Sequence, residues 1–268
     1  MDWGMENRLS RIFNPKTGRT VMLAVDHGYI MGPTAGLENI SQTVTPLIPY
    51  ADSLMLTRGA LRYQVSPTVD IPVVLRVSGG TSILNKELLR EGIATSMEEA
   101  IRLNVSAVAF SIMVGAEFER DTLLNFTKMI DEAERYGIPM LAVTAVGKEL
   151  VRDARYLSLA TRIAGELGAR IVKTYYCEDF EQVVNTSPVP VIIAGGKKLP
   201  TAEALALAYN AIQAGASGVD MGRNIFQADS PVAMIQAVKA IVHANATVAE
   251  AAEMYAELSG QPTEPAAA

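Results

Sequence analysis

Residues 161–176 read TRIAGELGARIVKTYY. The first half places apolar residues at helical spacing, and Gly168 falls where a left-handed C-cap is expected. Two residues later begins a run rich in β-branched residues, of strand length and containing one lysine, Lys173. Helix, glycine, short loop and strand together form the αβ step of a barrel or of an open α/β sheet. The same step recurs at Gly137 and Gly215.

Working outward, eight such strand-length runs follow one another: TVMLAV from Thr20, SLML from Ser53, PVVLRV from Pro72, AVAFSIMV from Ala107, PMLAVTAV from Pro139, RIVKTYY from Arg170, PVIIAGG from Pro190 and SGVDMG from Ser217. Near-continuous apolarity without alternation is expected of strands covered by helices outside and packed against one another inside. The spacing predicts helices over 118–136, 150–167, 201–214 and 231–243, and one over 96–103 opened by Ser96 and Glu99 at capping-box spacing. A further helix is predicted over 247–258. An open doubly wound sheet would usually carry a GxGxxG turn after its first strand, but the turn here is DHGYIMG. The predicted fold is therefore α/β, a single (β/α)8 TIM barrel over 1–258 with an extra C-terminal helix, and 259–268 is expected to be a disordered tail.

Of the 268 residues 49% are hydrophobic, enough for one large core, and the net charge is −6 with no long Lys/Arg run. A surface of this charge is not expected to bind nucleic acid. No apolar stretch approaches the roughly 20 residues of a membrane span, and the opening MDWGMENRLSRIF has no secretion-signal core. The single cysteine, Cys177, cannot form an intramolecular disulfide and fits a reducing compartment. The expected location is the cytoplasm.

In such barrels chemistry sits at the C-terminal strand ends and the loops that follow. The seventh run ends in Gly195-Gly196-Lys197-Lys198 and the eighth in Asp220-Met221-Gly222-Arg223-Asn224. Glycines let backbone N–H groups approach an anion and Arg223 supplies a bidentate charge, so Gly195, Gly196, Lys197, Gly222, Arg223 and Asn224 are predicted to hold a phosphate. Ordinary turn glycines are the alternative. Lys173 lies within the sixth strand, where burial activates an amine for Schiff-base chemistry. The alternative is a strand-end lysine that merely pairs with Asp26 or Asp220. Asp26 and His27 close the first strand and are candidate proton carriers. Asp26 could instead pair with Arg76 or Arg58, and His27 could simply fix a turn. No metal is expected, since His27 and His243 are the two histidines and cannot build a His-rich zinc site.

The combination AVDHGY, RIVKTYY, IAGGKK and GVDMGRNIFQ resembles the DhnA-type class I aldolase family of bacteria and archaea. The similarity extends from DWGMENRLSRIFNPKTG to PVAMIQAVKAIVHAN, nearly the whole chain, and is strongest to a branch that acts in autoinducer-2 breakdown. The resemblance implies a Schiff base on Lys173, substrate contacts from Asp26 and His27, and phosphate binding by the two glycine loops. It further implies a decameric homo-oligomer that cleaves a phosphorylated dione and passes acetyl to coenzyme A as co-substrate, with no other cofactor. The alternative within the family is cleavage of a sugar phosphate such as fructose 1,6-bisphosphate. Archaeal aldolases of that kind carry a Trp-Ser-Tyr-Pro-Arg segment after strand five with tyrosine as proton donor. Here the stretch is Thr144-Ala145-Val146-Gly147-Lys148, and Val146 cannot donate a proton.

Overall fold

The computed structural model describes residues 2–85, 90–146 and 152–260. Eight parallel strands close into a barrel: β1 (Thr20–Ala24), β2 (Ser53–Thr57), β3 (Val73–Arg76), β4 (Ala107–Val114), β5 (Met140–Val146), β6 (Ile171–Thr174), β7 (Val191–Ala194) and β8 (Gly218–Met221). Each strand pairs with its sequence neighbours, and β1 pairs with β8 to complete the ring. Closure brings Thr20 opposite Gly218 and Met22 opposite Asp220. The open-sheet alternative is thereby set aside.

Inside the barrel, Met22, Met55, Val74, Ala107, Ala109, Leu141, Ile171 and Ile192 form one apolar cluster. Neighbouring positions on the same strands, such as Leu23, Leu75, Val108 and Val172, belong instead to the clusters beneath the helices. This period of two decides what reaches the mouth: Ile171 points inward, so Lys173 does too, one layer higher.

Helices over Glu119–Arg135, Thr201–Gln213 and Pro231–Ala244 lie where the periodicity places them, and Gly137, Gly168 and Gly215 all have positive φ past helix ends. Ser96 accepts from the Glu99 amide as cap of Met97–Arg102. The C-terminal helix, Val248–Ser259, carries a complete capping box between Thr247 and Glu250.

Some expectations need correction. The helix expected from 150 begins at Ala154, because Asp153 adopts extended backbone and its carboxylate caps the Tyr156 amide. Ser259 is helical and Gly260 is the left-handed C-cap, so the ordered chain extends past the expected boundary at 258; the rest of the expected tail, 261–268, lies outside the described residues. Other elements had no counterpart in the sequence reading: the short helices Gly28–Met31, Ile40–Val44 and Arg58–Gln64, a helix over Phe180–Thr186, a two-residue antiparallel ladder joining Ser78–Gly79 to Gly92–Ile93, and an N-terminal helix, Trp3–Ile12. In the last, Leu9, Ile12 and Phe13 pack against the barrel-interior cluster and plug its N-terminal end, leaving the other for chemistry. Among the described residues no helix is long and apolar enough to cross a membrane.

Candidate active site

The C-terminal mouth holds a cavity of about 170 Å³ whose wall includes Asp26, His27, Arg76, Thr144, Lys173, Tyr175, Gly195, Gly196, Asp220, Gly222 and Arg223. A larger cavity, about 700 Å³, lies beyond Glu91 against helix Glu119–Arg135. The smaller one is where the strand-end lysine and the glycine loops converge, which is the arrangement that chemistry requires.

Lys173 is 9% exposed, and its ammonium lies 2.7 Å from Asp220 Oδ2. Burial works to lower the Lys173 pKa, but the Asp220 and Asp26 carboxylates outweigh it and the pKa is raised, so the resting side chain is an ammonium. Asp220 is fully enclosed, and burial pushes its carboxyl up to about 6 despite Lys173 beside it. Its Oδ1 has no hydrogen-bond partner among the described residues. Moving the proton from Lys173 to Asp220 turns a buried ion pair into a neutral pair without changing the net charge. Burial lowers the cost of that exchange without reversing it, so the ammonium is the resting form and the neutral pair is the route to the free amine.

Asp26 has a different environment. Burial pushes its carboxyl up, but Arg76, Lys173 and His27 more than reverse this, and the pKa ends below the usual range. Arg76 Nη1 donates to Asp26 Oδ2 at 2.8 Å. The guanidinium Nη2 donates to Glu91 at 2.9 and 2.8 Å and also to Ser111 Oγ. Two carboxylates in one pocket are therefore driven apart, one held ionised and one able to take a proton near neutrality. His27 stacks on Phe226 with ring centroids 5.6 Å apart, and Nδ1 stands 4.0 Å from Asp26 Oδ1. Burial lowers the His27 pKa, with Arg223, Lys173 and Arg76 adding to the effect against Asp26, so the imidazole is neutral at pH 7.

The glycine loops meet across β7 and β8. Arg223 Nη2 donates to the Gly196 carbonyl at 2.8 Å, and Gly196 has φ +68. A Cβ on Gly222 would stand 2.3 Å from the Ala24 carbonyl and 3.2 Å from His27 Cε1, so only glycine lets β1 and β8 close here. Asn224 is buried with both ends of its amide committed: Nδ2 donates to the Gly195 carbonyl at 2.7 Å and Oδ1 accepts from the Leu199 amide at 2.8 Å. It shapes the loop from behind the cavity wall. Lys197 is exposed and not on that wall. The structure therefore brings together Lys173, Asp26, His27, Gly195, Gly196, Gly222 and Arg223, and leaves Lys197 and Asn224 outside the cavity.

Thr144, at the start of the segment where archaeal aldolases carry their tyrosine, lines the cavity and donates to Thr174 Oγ1 at 2.8 Å. Gly147 and Lys148 lie outside the described residues. Arg58 is exposed on the helix Arg58–Gln64, so the arginine that pairs with Asp26 is Arg76. His243, far along helix Pro231–Ala244, pairs with Asp52 at 2.7 Å. Sequence reasoning did not find Glu91, Ser78, Ser111 or Tyr29. Ser111 offered a signal, as the one polar residue in AVAFSIMV; a lone loop glutamate offers none.

A lysine projecting into the mouth of a closed barrel, opposite a glycine and arginine cradle, defines a barrel aldolase of the imine-forming kind. A family model described as DeoC/LacD family aldolase matches residues 20–228, and the chain belongs to that family. Among curated relatives, one from Photorhabdus laumondii is 58% identical over 256 residues, covering 95% of this chain and 88% of the relative, and is named 3-hydroxy-5-phosphonooxypentane-2,4-dione thiolase. A relative of the same name from Escherichia coli K12 is also 58% identical, with the same coverage. Among solved structures, an archaeal fructose 1,6-bisphosphate aldolase superposes with a TM-score of 0.80 at 26% identity, covering 90% of this chain and 99% of that one. A Schiff-base-forming fructose-1,6-bisphosphate aldolase gives 0.81 at 26% identity, covering 89% and 99%. The chain is an enzyme of this aldolase family.

Proposed function

We propose that the protein transfers the acetyl group of 3-hydroxy-5-phosphonooxypentane-2,4-dione to coenzyme A, giving acetyl-CoA and dihydroxyacetone phosphate. The observation that carries the reading is the buried Lys173–Asp220 pair beside the glycine and Arg223 cradle; the curated relatives' shared name supports the choice of substrate. The phosphate is held by Arg223 and the backbone at Gly195, Gly196 and Gly222, which leaves the C4 ketone, one carbon away, next to β6. Lys173, its proton passed to Asp220, adds to C4 and loses water to form an iminium ion. The thiolate of coenzyme A adds to C2 and the C2–C3 bond breaks. Its electron pair passes through C3 into the iminium as an enamine, while acetyl leaves on sulfur. C3 then takes a proton, with Asp26 and neutral His27 as carriers, and water frees Lys173 and dihydroxyacetone phosphate. No metal is required, because the iminium is the electron sink. By likeness to the family, we also place the enzyme in the cytoplasm as a homo-oligomer, with a decamer as the state that light scattering should find.

The archaeal neighbours favour cleavage of fructose 1,6-bisphosphate as the second reading. A coupled assay separates the two. Acetyl-CoA from the dione with coenzyme A, and no turnover of fructose 1,6-bisphosphate, is the expected result, and the reverse would replace the thiolase reading with the aldolase one.

Two further outcomes follow. Arg223→Ala should raise KM for the phosphorylated substrate about 10- to 100-fold, with kcat changed less than about threefold, because the charge holds a group that does not react. Imine formation should weaken as pH falls below about 6, the value to which burial pushes Asp220, since a protonated Asp220 cannot accept the lysine proton. Single-turnover trapping with borohydride across pH 5 to 8 reads that limb, with the range set roughly by the titration span of one group.

A further inference from the structure

We infer that Glu91 is a positioning residue for this reaction: from outside the cavity it holds the Arg76 guanidinium against Asp26, and through Arg76 it sets the charge around the Lys173–Asp220 pair. Glu91 is 3% exposed; it lines the larger cavity and is absent from the wall of the mouth cavity. Its carboxylate accepts from Arg76 Nη2 at 2.9 and 2.8 Å, from Tyr29 Oη at 2.8 Å and from Ser78 Oγ at 2.6 Å. Closing the excursion between β3 and β4 does not need that carboxylate. The returning chain is already pinned by the Ala94 and Thr95 amides, which donate to the Val77 carbonyl at 2.8 and 3.1 Å, and by the ladder between Ser78–Gly79 and Gly92–Ile93.

What the carboxylate adds is a second charged anchor on Arg76. Without it Nη2 keeps the neutral Ser111 hydroxyl, a weaker hold than a carboxylate that takes two contacts on Nη2 while Asp26 holds Nη1. The charged and titratable groups around Arg76 and the pair are Lys173 from β6, Asp26 and His27 from the end of β1, Asp220 from β8, Arg223 just after it, Glu91 from the returning chain and Tyr29 from the short helix Gly28–Met31. Arg76 lowers the pKa of both Asp26 and Asp220. If Glu91 positions it, removing Glu91 lets the cation drift and both carboxyls rise. If Arg76 stays in place without Glu91, only a negative charge has been lost and both carboxyls fall or stay. The sign of the change separates positioning from a structural role.

The inference rests on the proposed imine chemistry for its readout. Glu91→Gln should lower kcat roughly 10- to 100-fold with KM for the dione within about threefold, as expected when reacting groups are misplaced but binding is kept. The acid limb near pH 6 should move up by about one pH unit, since a displaced guanidinium no longer favours the ionised carboxyls. Arg76→Lys, which keeps the charge but loses the fork, should move the limb in the same direction. A limb that stays or moves down in a folded Glu91→Gln overturns the inference, as does a Glu91→Gln that fails to fold while Arg76→Lys folds with an unshifted limb. Wild-type enzyme that traps dihydroxyacetone phosphate on Lys173 under borohydride but makes no acetyl-CoA overturns the thiolase reading alone, because the trapping rate still reports the limb. Wild-type enzyme with no adduct at Lys173 overturns both.

Discussion

Lys173→Met should abolish turnover, lowering kcat by roughly 10⁴-fold or more, because among the described residues no other amine lines the mouth cavity in a position to become an iminium sink. Borohydride with dihydroxyacetone phosphate should add mass at Lys173 in the wild type and add none in the variant. The variant should still fold. Methionine fills the space of the lysine stem, and Asp220, already pushed up to about 6, takes up a proton once its cation is gone. That carboxyl then has a folded pKa above its unfolded value. It favours the folded state at acid pH, and the advantage is lost as pH rises through the folded pKa. Thermal melting of Lys173→Met should therefore drop towards alkaline pH more steeply than that of the wild type. A variant that retains turnover or traps substrate elsewhere would remove Lys173 from the mechanism.

The second large effect concerns closure of the ring. Gly218 has φ +136, and a Cβ there would lie 2.1 Å from the Thr20 carbonyl oxygen and 2.8 Å from the Thr20 nitrogen. Both contacts are backbone, and Thr20 is the residue paired with Gly218 between β1 and β8. No side chain can swing aside to relieve them. Gly218→Ala should cost about 4 kcal/mol or more, combining a strained backbone region with loss of the closing ladder. Urea denaturation should show a lower midpoint, or expression should yield little soluble protein. Gly196→Ala is the useful contrast, since Gly196 also has positive φ but a Cβ there meets nothing within 4 Å. It should lose only the strain of its backbone, about 1 kcal/mol.

These glycines show how unevenly sequence and structure divide the information. Gly137, Gly168 and Gly215 were readable as helix stops because each follows a periodic run, and periodicity is local. Gly218 passed without notice inside the strand run SGVDMG, because its necessity comes from Thr20, a residue almost two hundred positions away that meets it through ring closure. The plug helix Trp3–Ile12 escaped for a similar reason. Its apolar residues Leu9, Ile12 and Phe13 gain their meaning from a barrel end that exists once all eight strands have closed.

The site divides in the same way. Lys173 stood out because a charged side chain interrupts an apolar strand, and the Gly195-Gly196 and Gly222-Arg223 pieces because they end the seventh and eighth runs. Sequence also assigned Asn224 and Lys197 to the cradle by adjacency. The fold turns Asn224 onto the Gly195 carbonyl and the Leu199 amide, and leaves Lys197 in solvent.

The eightfold alternation of apolar runs and helices, and with it the barrel and the strand ends where chemistry must sit, were determined by the order of residues alone, since hydrophobic period and capping act over a few positions. Which face of each strand looks inward was not, because both faces are apolar and a period of two can begin on either. Nor was the choice of Asp220 for Lys173 and of Arg76 for Asp26. Buried charges pair with whatever partner the closed ring brings within hydrogen-bond reach, and that is decided by the tertiary structure.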